Sequence, residues 1–298
     1  MTTTTATAMV IAGLWRYPVK SMAAEPLTTA HLDDGGIRGD RGWALRDQSR
    51  DVIAEARKLP GMLQMTARYL APPAPDEPSP PVQITAPGTE PITSTDPDVH
   101  HALSELVGRP VTLWPRLPAD TPEQAAHYRR RPPPDGDWDR YLREFFDVET
   151  AADIPDLSAL PPELVEYTTM PGTYYDAFPL HLITDRTLRT LGELAGTGEP
   201  ADARRFRPNL LVTVPGTDPA PFPEHDWIGR RVQAGTALLE ITVPTPRCVM
   251  ISHPVADQPR DRHLLRTVHT QAAHNAGVYA RIVRPGILRP GDTVTLAP

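Results

Sequence analysis

Cysteine is almost absent from this chain, with Cys248 alone among 298 residues. An intramolecular disulfide and a cysteine-only metal site are therefore excluded, and the sulfur is either buried filler or a single reactive or metal-ligating atom. Lysine is scarce too: Lys20 and Lys58 are the only two among 30 basic residues. The formal net charge is −7, which argues against a general nucleic-acid binder, since that role needs a basic stripe to neutralise phosphates. No apolar run reaches the length of a membrane span. The threonine/alanine tract Met1–Ala8 lacks the basic start and apolar core of a signal peptide. The expectation is a cytoplasmic protein that handles a small-molecule substrate, with no nucleic-acid and no membrane partner.

Against those absences stand 37 prolines and 40% hydrophobic residues, enough apolar material for two cores. Short strand-like runs separated by polar turns dominate, beginning at Met9–Tyr17 and continuing through Trp43–Arg46, Gln64–Leu70, Val82–Ile84 and Val111–Trp114. This spacing predicts a mainly β (α+β) fold with a barrel-like first domain over 9–117. A proline-rich connector with a helix at Asp137–Phe146 follows over 118–165, then a second β domain with flanking helices over 166–298. Helices are expected at His100–Gly108, Asp185–Ala195 and Arg262–Ala276.

Several positions carry chemistry. Cys248 follows the strand-like run Ala237–Thr242, and Pro244 and Pro246 are expected to break the ladder and release the segment as a loop. Arg247 beside it begins to supply an electropositive setting. Lys20, next to the hydroxyl of Ser21 at a strand end, is a candidate anion contact. The glycine-rich turn Asp33–Gly42 carries Arg41, and Thr184 or Asp185 caps a helix whose N-terminus is a second possible anion seat. Arg204, Arg205 and Arg207 crowd a proline-fixed bend before Asn209. Arg129–Arg131 reads as a solvated charge run.

Taken together, Tyr17-Pro18-Val19-Lys20-Ser21, Asp40-Arg41-Gly42-Trp43, Arg205-Phe206-Arg207-Pro208-Asn209, Pro246-Arg247-Cys248 and the closing Gly277-Val278-Tyr279 with Pro285-Gly286 and Gly291-Asp292 resemble the MOSC-domain proteins that carry an N-terminal β-barrel domain. The resemblance runs through nearly the whole chain in the family's order. Within the family the chain is similar to the amidoxime-reducing component and, more distantly, to the C-terminal domain of molybdenum cofactor sulfurase. The resemblance implies a molybdenum cofactor (molybdopterin) in a cleft between two β domains. It implies Cys248 as the metal ligand, Lys20, Ser21 and Arg41 as contacts from the first domain, and Arg207 and Asn209 as contacts from the second. Thr184 and Arg247 join the cofactor set from loop position and chemistry, and Arg57, which follows a strand near the expected cleft, is placed to orient substrate.

The implied activity is reduction of N-hydroxylated or related N- or S-oxygenated small molecules, with electrons from an external flavin or iron–sulfur protein. Four more cysteines would be needed for an iron–sulfur cluster within the chain. The run Val249–Pro254 after the cysteine departs from the better-known reductases, which bears on substrate preference. Two alternatives remain: a sulfur or cofactor carrier with a persulfide on Cys248, and a cysteine hydrolase pairing Cys248 with His253 or His274.

Overall fold

The computed structural model describes residues 8–216 and 220–297. Seven residues of the N-terminal threonine/alanine tract, 1–7, lie outside the described residues. In the first half, β1 (Met9–Arg16) leads into the short strands β2 (Glu25–Pro26), β3 (Ala30–Asp33) and β4 (Gly36–Ile37). Next come β5 (Trp43–Asp47), β6 (Val52–Ile53), β7 (Thr66–Tyr69), β8 (Val82–Thr85), β9 (Ile92–Thr93), helix α1 (Val99–Val107) and β10 (Val111–Pro115). The connector holds α2 (Pro122–Ala125) and α3 (Trp138–Phe146). The second half contains β11 (Leu180–Thr184), α4 (Asp185–Leu194), α5 (Ala203–Phe206), β12 (Leu210–Thr213), β13 (Arg231–Ala234) and β14 (Ala237–Pro246). It ends with α6 (Arg262–Gln271), β15 (Asn275–Arg284), β16 (Gly286–Leu288) and β17 (Thr293–Leu296).

Strands β12-β11-β15-β14-β13-β17-β1 run in that order, and the pairing of β1 with β12 closes them into a seven-stranded barrel. Alternation fills it: Leu180 and Leu182 of β11, Leu239 and Ile241 of β14, and Val278 and Ala280 of β15 all face one apolar core. On β1 the buried pair Ile11 and Leu14 sits three residues apart, because the ladder to β12 slips between Ile11 and Gly13. Full burial of such side chains stabilises the closure by about 1.5–3 kcal/mol each. The fold is thus mainly β with flanking helices, as the strand spacing led us to expect.

The first half builds a second core. Sheets β10-β5-β6 and β7-β8-β9 enclose Leu45, Met62, Val82, Ile84, Leu103 and Leu113. Helix α1 ends at Gly108, whose φ of 67° provides the left-handed cap. The two halves are interlocked. Strand β1 belongs to the barrel, and β3 pairs with β16 through Leu32 and Gly286. We retain 9–117, 118–165 and 166–298 as proposed domains, with that exchange of strands between the first and the last.

Two local expectations are corrected. Strand β14 does not end before its prolines but continues to Pro246, with register shifts on either side of Pro244. A proline is tolerated where the ladder is already irregular and its missing donor costs nothing. Helix α6 stops at Gln271 rather than Ala276. Ala273 and His274 take φ of 47° and 66°, reversing the chain into β15. Among the described residues no helix is long and apolar enough to cross a membrane.

Candidate functional site

Cys248 lies just beyond β14, at the start of a 3-10 turn spanning Val249–Ser252. Arg205 fastens this turn, donating to the carbonyls of Ile251 at 3.2 Å and His253 at 3.0 Å. Arg247 anchors it from below, with Nε donating to the Ala276 carbonyl at 2.9 Å, Nη1 to the Phe206 carbonyl at 3.0 Å and Nη2 close to His181 Nε2. Burial lowers the Arg247 pKa to about 10, which still leaves it charged at neutral pH. Its guanidinium is committed to the Ala276 and Phe206 carbonyls and the His181 ring, so Arg247 positions the cysteine turn.

The first half packs against the segment that follows this turn. Ala56 and Leu63 pack against Val255, with Met250 alongside, which brings Arg57 within electrostatic reach of the thiol. Arg57 is 6% exposed in its side chain, donating to Glu55 Oε2 at 3.1 Å and Tyr141 Oη at 2.9 Å. Its guanidinium lies over the rings of Tyr141 and Phe145 at 5.0 and 4.6 Å, so α3 covers it. Burial raises the Cys248 pKa, only partly offset by the Met250 amide and Arg57. Cys248 is therefore a protonated, weakly nucleophilic thiol at neutral pH. Among the described residues no histidine hydrogen-bonds to it.

Three cations, Lys20, Arg41 and Arg207, gather around the carboxylate of Asp176, which also lies within electrostatic reach of Cys248. Lys20, 3% exposed, is ion-paired with Asp176, and its Nζ also lies 3.4 Å from the Tyr174 carbonyl. Arg41 pairs with the buried Asp40. Arg207 donates to the Met22 carbonyl at 2.5 Å and has no carboxylate partner among the described residues. The Tyr17 ring stands beside both guanidiniums, with Arg41 at 5.0 Å and Arg207 at 4.2 Å, a cation–π arrangement that shields like charges from each other. Burial disfavours the charge on Arg41, but Asp40 and Asp176 more than offset it and its pKa rises. For Arg207 burial wins and the pKa falls.

Ser21, Arg41 and Arg207 share one backbone feature: φ of 68°, 50° and 56° respectively. Left-handed backbone at non-glycine residues costs on the order of 1–3 kcal/mol each and clusters at functional sites. Ser21 Oγ accepts from the Ala56 amide at 3.1 Å, tying the lysine turn to the segment that carries Arg57.

Asn209 and Thr184 are spent inside the fold. Asn209 Oδ1 accepts from the His181 amide at 3.1 Å, while Nδ2 donates to the Trp15 carbonyl and Asp40 Oδ2, each at 3.2 Å. It thereby orients the carboxylate that orients Arg41. Thr184 caps α4 through the Thr187 amide and donates to Glu224 Oε2 at 2.7 Å. An internal carboxylate already occupies that helix end, so it is not an open anion seat.

Sequence reasoning missed Asp176. Its side chain is 57% exposed although it lies at the centre of the cation cluster. Burial pushes its pKa up, but Lys20 and Arg41 outweigh this and bring it down to about 2. Nothing in its spacing marks it; only Tyr174-Tyr175-Asp176 immediately before β11 hints at a site at a strand entrance. Arg205 was legible as part of a basic cluster but not as the clamp of the cysteine turn. Among the described residues no group of His, Cys, Asp and Glu forms a metal site, which leaves Cys248 as a solitary soft donor.

Family models match this chain as a MOSC N-terminal beta barrel domain over residues 8–114 and as a MOSC domain over residues 170–295. Among solved structures, the YUAD protein from Bacillus subtilis is 11% identical, with a TM-score of 0.42 over 96% of this chain and 94% of that one. YiiM from Geobacillus stearothermophilus is 20% identical, with a TM-score of 0.30 over 41% of this chain and 55% of that one. YiiM from Escherichia coli is 16% identical, with a TM-score of 0.28 over 41% and 55%. No curated protein matches the sequence.

Proposed function

The chain belongs to the MOSC-domain family, with the MOSC N-terminal β-barrel domain ahead of the MOSC domain, and on that premise we propose that it is a molybdenum-cofactor oxidoreductase reducing N-hydroxylated or related N- or S-oxygenated small molecules. The observation that carries this reading is the gathering of Lys20, Arg41 and Arg207 around Asp176, within electrostatic reach of Cys248. The donor set fits the group: one soft thiol suits molybdenum, and a lysine with two arginines suits a pterin phosphate. Arg207 in particular is buried without a carboxylate partner among the described residues, as a cation reserved for an anionic ligand would be.

When bound, the cofactor supplies oxygen-atom transfer at its metal, with electrons from a separate flavin or iron–sulfur protein. Cys248 has to lose its proton to ligate. An anion taken up by Lys20, Arg41 and Arg207 competes with Asp176 for the same cations. Arg57, held by Glu55 and Tyr141, presents a fixed positive charge near the sulfur that stabilises the thiolate and orients a polar substrate. Arg205 and Arg247 keep the cysteine turn rigid, and α3 shields Arg57 from water.

Among the described residues no histidine hydrogen-bonds to Cys248, which weighs against a cysteine hydrolase; a persulfide carrier is the alternative that turnover separates from the reductase. Turnover tests the proposal. The holoprotein with a chemical reductant should convert an aryl amidoxime to the amidine, and Cys248→Ala should not. Equal turnover by both proteins would remove the cysteine from the reaction.

A further inference from the structure

After β7 the chain enters Leu70-Ala71-Pro72-Pro73, where the prolines offer no amide with which to pair a neighbouring strand. This segment stands off from β2 and from the β3–β4 hairpin, and the space between them is a surface cavity of about 360 Å³, a size typical of small-molecule sites. Its inner end is fixed. Tyr69 Oη donates to the Gly39 carbonyl at 2.6 Å, and Pro73 packs so closely on Gly39 that an added Cβ would lie 2.5 Å from the proline Cγ. Leu27, Ile37 and Leu70 give the cavity apolar walls, and Leu70 is left 52% exposed there. The function argued above uses none of these residues.

The charged groups of the lining are balanced. Arg16 lies over the Tyr69 ring at 4.8 Å. Its Nε and Nη2 donate to Glu25 Oε2 at 3.1 and 2.7 Å and its Nη1 to the Arg38 carbonyl at 3.2 Å, so each of its nitrogens is engaged. Arg38 gives Nε and Nη2 to Asp33 at 2.9 and 2.8 Å. Among the described residues this leaves one donor, Arg38 Nη1, one acceptor, Glu25 Oε1, and the ring of His31, which can serve as either. An anion would find both arginines already paired with carboxylates. A neutral ligand with a donor beside an acceptor would use both open groups. We propose that this cavity binds a neutral, planar heteroaromatic molecule whose polar edge carries an N–H next to a carbonyl. The N–H donates to Glu25, the carbonyl accepts from Arg38, and the ring lies against Leu27, Ile37 and Leu70; both hydrogen bonds are charge-assisted. The cavity shares no lining residue with Lys20, Arg41, Arg207 or Cys248, so the site stands independently of the reductase reading.

Calorimetry on the full chain, with quinolin-2-one as the probe, tests the site. N-methylquinolin-2-one keeps the ring and the carbonyl but lacks the N–H, and should bind about tenfold or more weakly, the loss expected for one hydrogen bond to a charged group. Quinoline-2-carboxylate should bind no better than the methylated compound. Arg38→Met should weaken quinolin-2-one by a similar factor of about ten, and Ala71→Trp, at an exposed position of the rim, should abolish binding by filling the cavity. Circular dichroism checks that both variants are folded. No binding of quinolin-2-one to the wild type, equal binding of the methylated compound, tighter binding of the carboxylate, or an unchanged affinity in either folded variant would overturn the proposal.

Discussion

Lys20, just beyond the first strand of the barrel, is ion-paired with Asp176, which lies 156 residues further along the chain. The pair joins the wall built by the first half to the segment that enters β11, and it leaves the carboxylate open to solvent while the ammonium is covered. A buried cation with an exposed, exchangeable counter-ion is set up to trade that counter-ion for a ligand.

Removing either partner should move anion affinity in opposite directions. Lys20→Ala should lower retention of the anionic cofactor by about tenfold to a hundredfold, the range for a hydrogen bond to a charged group. Asp176→Asn should tighten binding of inorganic phosphate, because it removes the internal competitor. Titration calorimetry of the two variants checks both, and shifts of the same sign would show that the pair does not face the ligand.

The thiol should be slow to react in cofactor-free protein. Burial raises its pKa, so the rate of alkylation by iodoacetamide should rise with pH through a midpoint above the roughly 8.5 of a free cysteine. Cofactor loading should likewise improve with rising pH, since ligation displaces a proton. A midpoint near pH 7 would mean that the thiol is activated without any metal.

Asn209 should prove a positioning residue. Asn209→Ala strands the His181 amide and one oxygen of Asp40, and should cost about 1–3 kcal/mol of stability. With Arg41 less firmly held, cofactor occupancy should fall as well. Urea denaturation with metal analysis of the same samples separates the two effects, and unchanged stability would place Asn209 outside the network described.

Acid should destabilise the fold earlier than carboxylates alone would. Burial pushes His127 down to about 4 and His181 well below the ordinary histidine value. Between about pH 6.5 and 4 the unfolded chain then binds more protons than the folded one, so stability rises with pH across that window. Asp176, depressed to about 2, keeps its contribution throughout it. Urea midpoints at pH 7.5 and 5 should differ, and His127→Gln should reduce the difference; equal midpoints for the wild type would show that these histidines are accessible.

Much of the fold could be read from local signals. Helix α1 with its Gly108 cap, the caps of α4, and the strands at 180–184 and 210–213 follow from apolar period and turn chemistry. What could not be read is long-range. Nothing in Met9–Arg16 says that it completes a barrel made from residues 180–296. The prolines of β14 signal a broken ladder, but a bulge lets the strand run on. At the site, Cys248, Lys20, Arg41 and Arg207 stood out through residue type and order. The left-handed backbone at Ser21, Arg41 and Arg207 is invisible without glycine to mark it. Arg247, Asn209 and Thr184 carry the right chemistry in the sequence, yet their polar groups are consumed by backbone and internal partners. Asp176 shows the reverse: an unremarkable acid until the fold sets it among three cations.

The most direct test of the central claim is the molybdenum and pterin content per chain, measured for wild type and Cys248→Ala after expression in a host that makes the cofactor. The account expects close to one molybdenum and one pterin per wild-type chain, with metal lost or labile in the variant while its fold is retained. Wild-type protein free of both, or a variant holding molybdenum as firmly as wild type, would contradict it.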